Sequence, residues 1–268
     1  MKKILSKILG PMAGKIKYQG LFEHLHQLSL NGMNIGGGGS TDTSGERFAM
    51  EYIHHKLSKN DDLTIFDVGA NVGDYSILLK EVFKEKAHIF SFEPSKKTYN
   101  KFLIKTKDVK HLNSYNFGFG DENTRITLFS DADESGLASL YQRRLDHFNL
   151  HMNKTEEIEI LTIDGFCAQH EIKHIHFLKI DVEGHETKVL EGAKNMVNNQ
   201  GIDYIQFEFG GCNIDSRTFF QDFYYLLKDN YHIYRIVRDG LFKIENYKEM
   251  YEAFITTNYI AERKNLIP

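Results

Sequence analysis

The stretch Ile65-Phe66-Asp67-Val68-Gly69-Ala70-Asn71-Val72-Gly73-Asp74-Tyr75-Ser76 restricts the fold of this chain more than any other. An apolar run carries an acid near its end, a glycine-bearing turn follows, and a helical pattern opens directly behind it. Such a unit places a strand, a tight turn and a helix N-terminus in succession, with glycines where backbone and ligand can approach closely. The same beat recurs downstream. Residues 63–68, 87–92, 111–117, 175–180 and 204–209 read as strands, and residues 74–83, 95–105, 186–196 and 219–227 as helices. Further extended segments fall at 125–129 and 158–163, with late strands at 231–237 and 253–260. This alternation predicts an α/β fold, a mostly parallel sheet with helices on both faces.

Upstream of that unit the chain changes character. Ile4, Leu5, Ile8 and Leu9 lie among lysines and suggest a short amphipathic helix, because Lys7 interrupts what a signal peptide would need as an apolar core. Such a helix packs on the main domain or a partner subunit, the simpler reading, or touches an anionic membrane surface. Leu21, Phe22, Leu25 and Leu28 form a second helical pattern. The run Gly36-Gly37-Gly38-Gly39-Ser40 then resembles a flexible linker. It enters Thr43 and Glu46, spaced as a capping box, and a stripe of Phe48, Ala49, Tyr52, Ile53 and Leu57. A glycine loop entering a capped helix also suits an anion or carboxylate site, which makes Gly38 and Ser44 candidate cofactor contacts. The expected organisation is an accessory segment over 1–60 and one domain over 61–268, with the polar stretch 131–150 as a lid insertion.

Glu93 of Phe92-Glu93-Pro94-Ser95 ends the second strand, about 20 residues past Gly73, the offset at which an acid meets ribose hydroxyls. Asp67, by its position before the turn, suits a positively charged cofactor better than a pyrophosphate. Glycines at 69 and 73 with Asn71 between them break the dinucleotide fingerprint. A third signal is Lys179-Ile180-Asp181-Val182-Glu183-Gly184-His185-Glu186, where a buried strand ends and a helix opens. If that segment stays extended, Asp181 and Glu183 point to one face. His185 is the leading general base, because imidazole titrates near neutral pH. Glu208, inside an apolar strand, would be costly unpaired and should lie beside Asp181.

Together, residues 67–76, Glu93-Pro94-Ser95 and the 179–186 motif resemble the FkbM-type methyltransferases, over about residues 63–210. Residues 34–46 resemble the glycine-rich entry segment of some members. The resemblance implies a class I Rossmann-like fold of seven strands with the last one antiparallel, and S-adenosyl-L-methionine as cofactor. By that likeness Asp67, Gly69, Asn71 and Gly73, with the neighbouring Tyr75 and Ser76, line the methionine and ribose. Glu93 and Pro94 meet the ribose, and Asn116 and Phe117 lie near adenine. Catalysis would fall to His185, Asp181, Glu183 and Glu208. Those donors could also form a carboxylate-rich ion site, but the reading carries no metal.

The implied reaction is O-methylation of a hydroxyl, with a sugar, surface glycan or glycosylated metabolite as acceptor; the acceptor class comes from the resemblance alone. The alternatives are a nicotinamide-dependent oxidoreductase and a non-catalytic nucleoside-binding protein. Composition excludes other classes. With 33 basic against 37 acidic side chains the chain is unsuited to nucleic acid held through phosphates. Two cysteines, Cys167 and Cys212, give no disulfide framework, so a cytoplasmic setting is expected. No stretch approaches the roughly 18 apolar residues of a membrane span. A homo-oligomer is compatible with the sequence.

Overall fold

A computed structural model describes residues 7, 9–37, 41–133 and 135–266. The helix expected over 4–9 falls almost wholly outside them, as does Gly38. The strands in chain order are β1 (Leu63–Val68), β2 (Ala87–Phe92), β3 (Leu112–Tyr115), β4 (Gly118–Phe119), β5 (Thr124–Ser130), β6 (Lys154–Leu161), β7 (Ile175–Ile180), β8 (Ile202–Phe209), β9 (Tyr231–Val237), β10 (Gly240–Ile244) and β11 (Thr257–Arg263). The longer helices preceding β3 are α1 (Gln19–Gly32), α2 (Glu46–Lys56) and α3 (Asp74–Phe83). They are followed by α4 (Lys96–Thr106), α5 (Ile163–Gln169), α6 (Glu186–Glu191), α7 (Lys194–Asn198), α8 (Cys212–Ser216) and α9 (Phe220–Leu227).

The main sheet has eight strands in the order β10-β9-β11-β8-β7-β1-β2-β3. The five from β8 to β3 pair in parallel. Strand β11 inserts antiparallel between β8 and β9, as expected of the last strand. The count differs from the seven anticipated because β10 folds back on β9 in a hairpin. Its segment Gly-Leu-Phe-Lys-Ile is too short to announce itself by periodicity. Strands β4, β6 and β5 form a separate three-stranded sheet that flanks the carboxyl ends of the parallel strands.

Helices cover both faces of the main sheet. On one, Ala49, Met50, Ile53 and Leu57 of the α2 segment pack with Leu79 and Phe83 of α3 against Ile65 and Ile89. So α2 is a layer of the domain core, although the sequence places it in an accessory segment. On the other face, Phe166, Val189, Leu190, Phe220 and Phe223 meet Phe66, Leu178 and Phe207. Burying side chains of this kind contributes about 1.5–3 kcal/mol each.

Two local expectations change. The helix expected over 186–196 breaks into α6 and α7 at Gly192, where only glycine fits, since a Cβ would stand 1.9 Å from the Gly120 carbonyl oxygen. The Thr43–Glu46 capping box gives way to a left-handed Gly45 at the start of α2, φ 90°, packed against the Val237 carbonyl. Ser44, one residue ahead of that N-cap, donates its Oγ–H to Glu46 Oε2 at 2.8 Å and accepts from the Glu46 N–H at 3.3 Å.

Candidate active site

Parallel strands that end together bring their next residues to one edge. Beyond β1, β2 and β7, Gly69, Asn71, Glu93 and Asp181 line one side of a cleft with a cavity volume of about 100 Å³. The small sheet supplies the apolar opposite wall through Phe119, Leu128, Ile158 and Ile160. Gly69 has φ 79°, and a Cβ there would stand 1.8 Å from the Asp181 carbonyl oxygen, so no other residue fits. Asn71 is also left-handed, φ 47°. Its buried Oδ1 has no hydrogen-bond partner, an orphaned acceptor beside the cleft. Glu93 accepts the backbone N–H groups of Asn71 and Ser95, each at 2.9 Å, which fixes the carboxylate. Burial pushes it up to about 7 against the pull of those two bonds.

Several residues expected at the cofactor fall outside the lining of this cleft. Asp67 is fully buried: Ser76 Oγ donates to its Oδ2 at 2.5 Å, and Lys179 Nζ stands 3.2 Å from its Oδ1. Lys179 also donates to the Gly69 carbonyl at 3.1 Å and reaches Asp181 Oδ2 at 3.5 Å. Burial works against its charge, yet Asp67 and then Asp181 hold it above the usual lysine range. The Tyr75 ring carries the same ammonium at 4.9 Å and donates its hydroxyl to Gln206 Oε1 at 2.7 Å. Gln206 Nε2 in turn donates to Glu46 Oε1 at 2.8 Å, so Ser44 and Glu46 close the far end of one buried network. Gly73 packs against Phe102 and Thr106 and starts α3 in a left-handed turn. Asn116 Nδ2 donates to the carbonyls of Glu93 and Pro94, and Phe117 stacks among Phe92, Phe119 and Phe166; Pro94, Gly118 and Phe119 reach the cleft in their place.

The acids of the third motif do converge. Register pairs Ile180 with Phe207, which sets Glu208 alongside Asp181. Asp181, Glu183 and His185 line the cleft, whereas Glu208 sits outside its lining. Glu183 adopts φ 54°, so the extended geometry fails at that residue. Burial first, then Asp181, pushes its carboxyl up to about 8 despite Arg143. Burial and the neighbouring acids likewise raise Glu208 well above the carboxylate range. Glu186 is buried and holds the loop by accepting the N–H groups of Val182 at 3.1 Å and Gly184 at 3.0 Å.

The 131–150 stretch reaches this corner at three points. Ser139 Oγ donates to the Glu183 carbonyl at 2.7 Å, Arg143 Nη1 donates to Glu183 Oε2 at 2.5 Å, and Tyr141 Oη meets His185 Nδ1 at 3.0 Å. Arg143 is therefore engaged with an internal acid. Burial lowers His185 to about 4, so its ring is neutral near pH 7. Its Nε2 lies over Gly120, 2.9 Å from where a Cβ would stand.

Among the described residues two groupings have metal-ligand spacing, Glu183–Glu208–Cys212 and His174–His176–Asp203. In the first, Arg143 already neutralises Glu183. In the second, Asp203 pairs with Arg263 at 2.8 Å, and His176 Nδ1 accepts the Thr64 N–H at 3.0 Å. Neither needs an ion to account for its geometry.

Comparison with known proteins agrees with this frame. The family model of the methyltransferase FkbM domain matches residues 67–243. Methyltransferase 1 of Beauveria bassiana is 26% identical over 170 residues, which is 54% of this chain and 68% of the relative. Hexuronic acid methyltransferase AglP of Haloferax volcanii is 25% identical over 173 residues, 63% of this chain and 65% of the relative. The chain thus spans about two thirds of the length of these relatives. The solved methyltransferase FkbM of Methylobacillus flagellatus KT covers 75% of this chain and is 17% identical, with a TM-score of 0.47; this chain covers 44% of that one.

Proposed function

The chain belongs to the FkbM methyltransferase family, and from that premise we propose that it moves a methyl group from S-adenosylmethionine to a sugar hydroxyl. The observation that carries the cofactor is the buried, unpartnered Asn71 Oδ1 facing a cleft whose backbone at Gly69 leaves no room for a side chain. An ammonium or hydroxyl donor satisfies that oxygen, and a carboxylate at Glu93 has lone pairs left to accept two ribose hydroxyls. Phe119, Ile158 and Ile160 offer the apolar wall that an adenine ring requires. When bound, the cofactor supplies an electrophilic methyl on a sulfonium. The family replaces the nicotinamide reading.

Alignment of the acceptor then does much of the work. Asp181 and Glu183 face the cleft and hydrogen-bond the acceptor's hydroxyl groups, which orients a sugar oxygen for in-line attack. His185 is neutral and takes the proton; the attacked oxygen becomes strongly acidic as it gains the methyl, so even a weak base suffices. Among the described residues the cleft lining holds no lysine or arginine, and Arg143 is already paired with Glu183, so an acceptor carboxylate would meet no cation there. A neutral sugar therefore suits this corner better than the uronic acid in the name of the Haloferax relative.

Calorimetric titration with S-adenosylmethionine, S-adenosylhomocysteine and NAD tests the cofactor; binding of NAD alone rejects the reading. Transfer of labelled methyl to neutral glycosides tests the acceptor. Methylation of glucuronosides but not of glucosides overturns the neutral-sugar assignment.

A further inference from the structure

Helix α1 is amphipathic, yet part of its apolar side is left exposed: Leu21 and Leu28 are exposed and Leu25 is half-buried. Leu21, Leu25 and Leu28 recur at i, i+4 and i+7 and share one face. Leu21 is 41% and Leu28 51% exposed, whereas Leu30, on the other side of the helix, is buried. Ahead of the helix Ile16 is 93% exposed between the exposed lysines Lys15 and Lys17. An isoleucine between two lysines, leading into a leucine stripe with both ends exposed, is a costly surface in water.

Charge says what covers it. Residues 1–22 contain Lys2, Lys3, Lys7, Lys15 and Lys17 and no acid, in a chain where acids outnumber bases 37 to 33. Two copies meeting through this face would bring like charges together, since a two-fold contact sets the same patch against itself. An anionic bilayer supplies both missing elements, negative charge for the lysines and an apolar boundary for the leucines. We propose that Lys7 and residues 9–28, with Ile16, Leu21, Leu25 and Leu28 inserted at the headgroup boundary and Lys7, Lys15 and Lys17 on the headgroups, dock this protein on an anionic lipid surface. The contact is peripheral: no helix among the described residues is long and apolar enough to cross a membrane. It is independent of the cofactor cleft, which is built from residues 68–185.

Vesicle flotation of the full chain tests this, with phosphatidylcholine vesicles containing one quarter phosphatidylglycerol against phosphatidylcholine alone. Binding to the anionic vesicles should exceed that to neutral ones by about fivefold or more and fall in high salt. The pair Lys15→Glu and Lys17→Glu should lose the anionic preference, and the pair Leu21→Ser and Leu28→Ser should weaken binding to a similar degree. S-adenosylhomocysteine affinity serves as the folding control for both pairs. Equal binding to the two vesicle types, or none to either, overturns the proposal. So does a dimer in sedimentation equilibrium that the leucine substitutions dissociate while vesicle binding is absent.

Discussion

Replacing Lys179 by methionine keeps the length and apolar stem of the side chain but removes a fully buried cation. Three groups lose their partner at once: Asp67 Oδ1 at 3.2 Å, the Gly69 carbonyl at 3.1 Å and Asp181 Oδ2 at 3.5 Å. Asp67 has no exposure to water and keeps only the Ser76 hydroxyl. Breaking a buried pair from one side typically costs about 3–5 kcal/mol, because the remaining charge stays in a poor dielectric. For a chain of this size that corresponds to a melting temperature lower by roughly 5–9 °C. Differential scanning calorimetry measures it. The pair Asp67→Asn with Lys179→Met removes both charges and should recover at least about half of the loss. Cofactor affinity should fall in the single variant even at temperatures where it is folded, because the Gly69 turn and Asp181 are both set by this ammonium. A loss under about 1 kcal/mol in Lys179→Met, or a double variant no more stable than the single one, refutes the reasoning.

The remaining predictions concern ionisation and proton transfer. With Glu93 raised to about 7 by burial, its ionised fraction climbs from about a tenth to nine tenths between pH 6 and 8, so cofactor affinity should rise about tenfold over that range; Glu93→Gln should bind weakly with no slope, and an unchanged slope assigns the titration elsewhere. The same shift has the opposite sign for stability: native Glu93 and Glu186 keep protons that the unfolded chain has released, so stability should decline as pH rises from about 4.5 to 7, read from denaturant midpoints across pH. His185→Asn should lower kcat by about 10²–10⁴ while the cofactor dissociation constant stays nearly constant. Because burial sets His185 near 4, wild-type kcat should show no acid limb near 6.5, and full turnover in the variant leaves the ring only as a brace for Tyr141.

Which parts could be read in advance follows from where the signal resides. Strands β1, β2, β7 and β9 emerge with their bounds intact because each is buried and its apolar run is bounded by polar or glycine-bearing segments. The motif acids were visible, but their orientation was not. Asp67 and Glu93 look alike as strand-end acids, yet the residue opposite decides their roles. A lysine one strand over turns Asp67 inward, whereas free N–H groups hold Glu93 at the cleft. Lys179, a cation in the run Phe-Leu-Lys-Ile, carried the available warning, since a buried lysine requires carboxylate partners. The apolar wall from β6 left a weaker trace, Ile158 and Ile160 alternating with glutamates. Alternation gives a buried face and not the surface that face covers.

The 131–150 stretch shows why a polar, irregular insertion can still be specific. Its backbone has little regular structure, so its position depends on the few side chains that anchor it. Ser139, Tyr141 and Arg143 alternate along the chain, and each contacts Glu183 or His185. Glu183 is both the acid that Arg143 neutralises and a wall of the cleft, so holding the insertion and holding an acceptor draw on one carboxylate. An acceptor hydroxyl that donates to Glu183 competes with Arg143 for its lone pairs. Arg143→Lys replaces a guanidinium whose Nη1 reaches Glu183 and whose Nε faces Asp215 at 3.9 Å with a single ammonium that cannot span both. It should therefore raise the acceptor KM by several-fold and leave cofactor affinity unchanged. A fall in cofactor affinity with acceptor KM constant would mean that the insertion orders the cofactor side of the cleft instead.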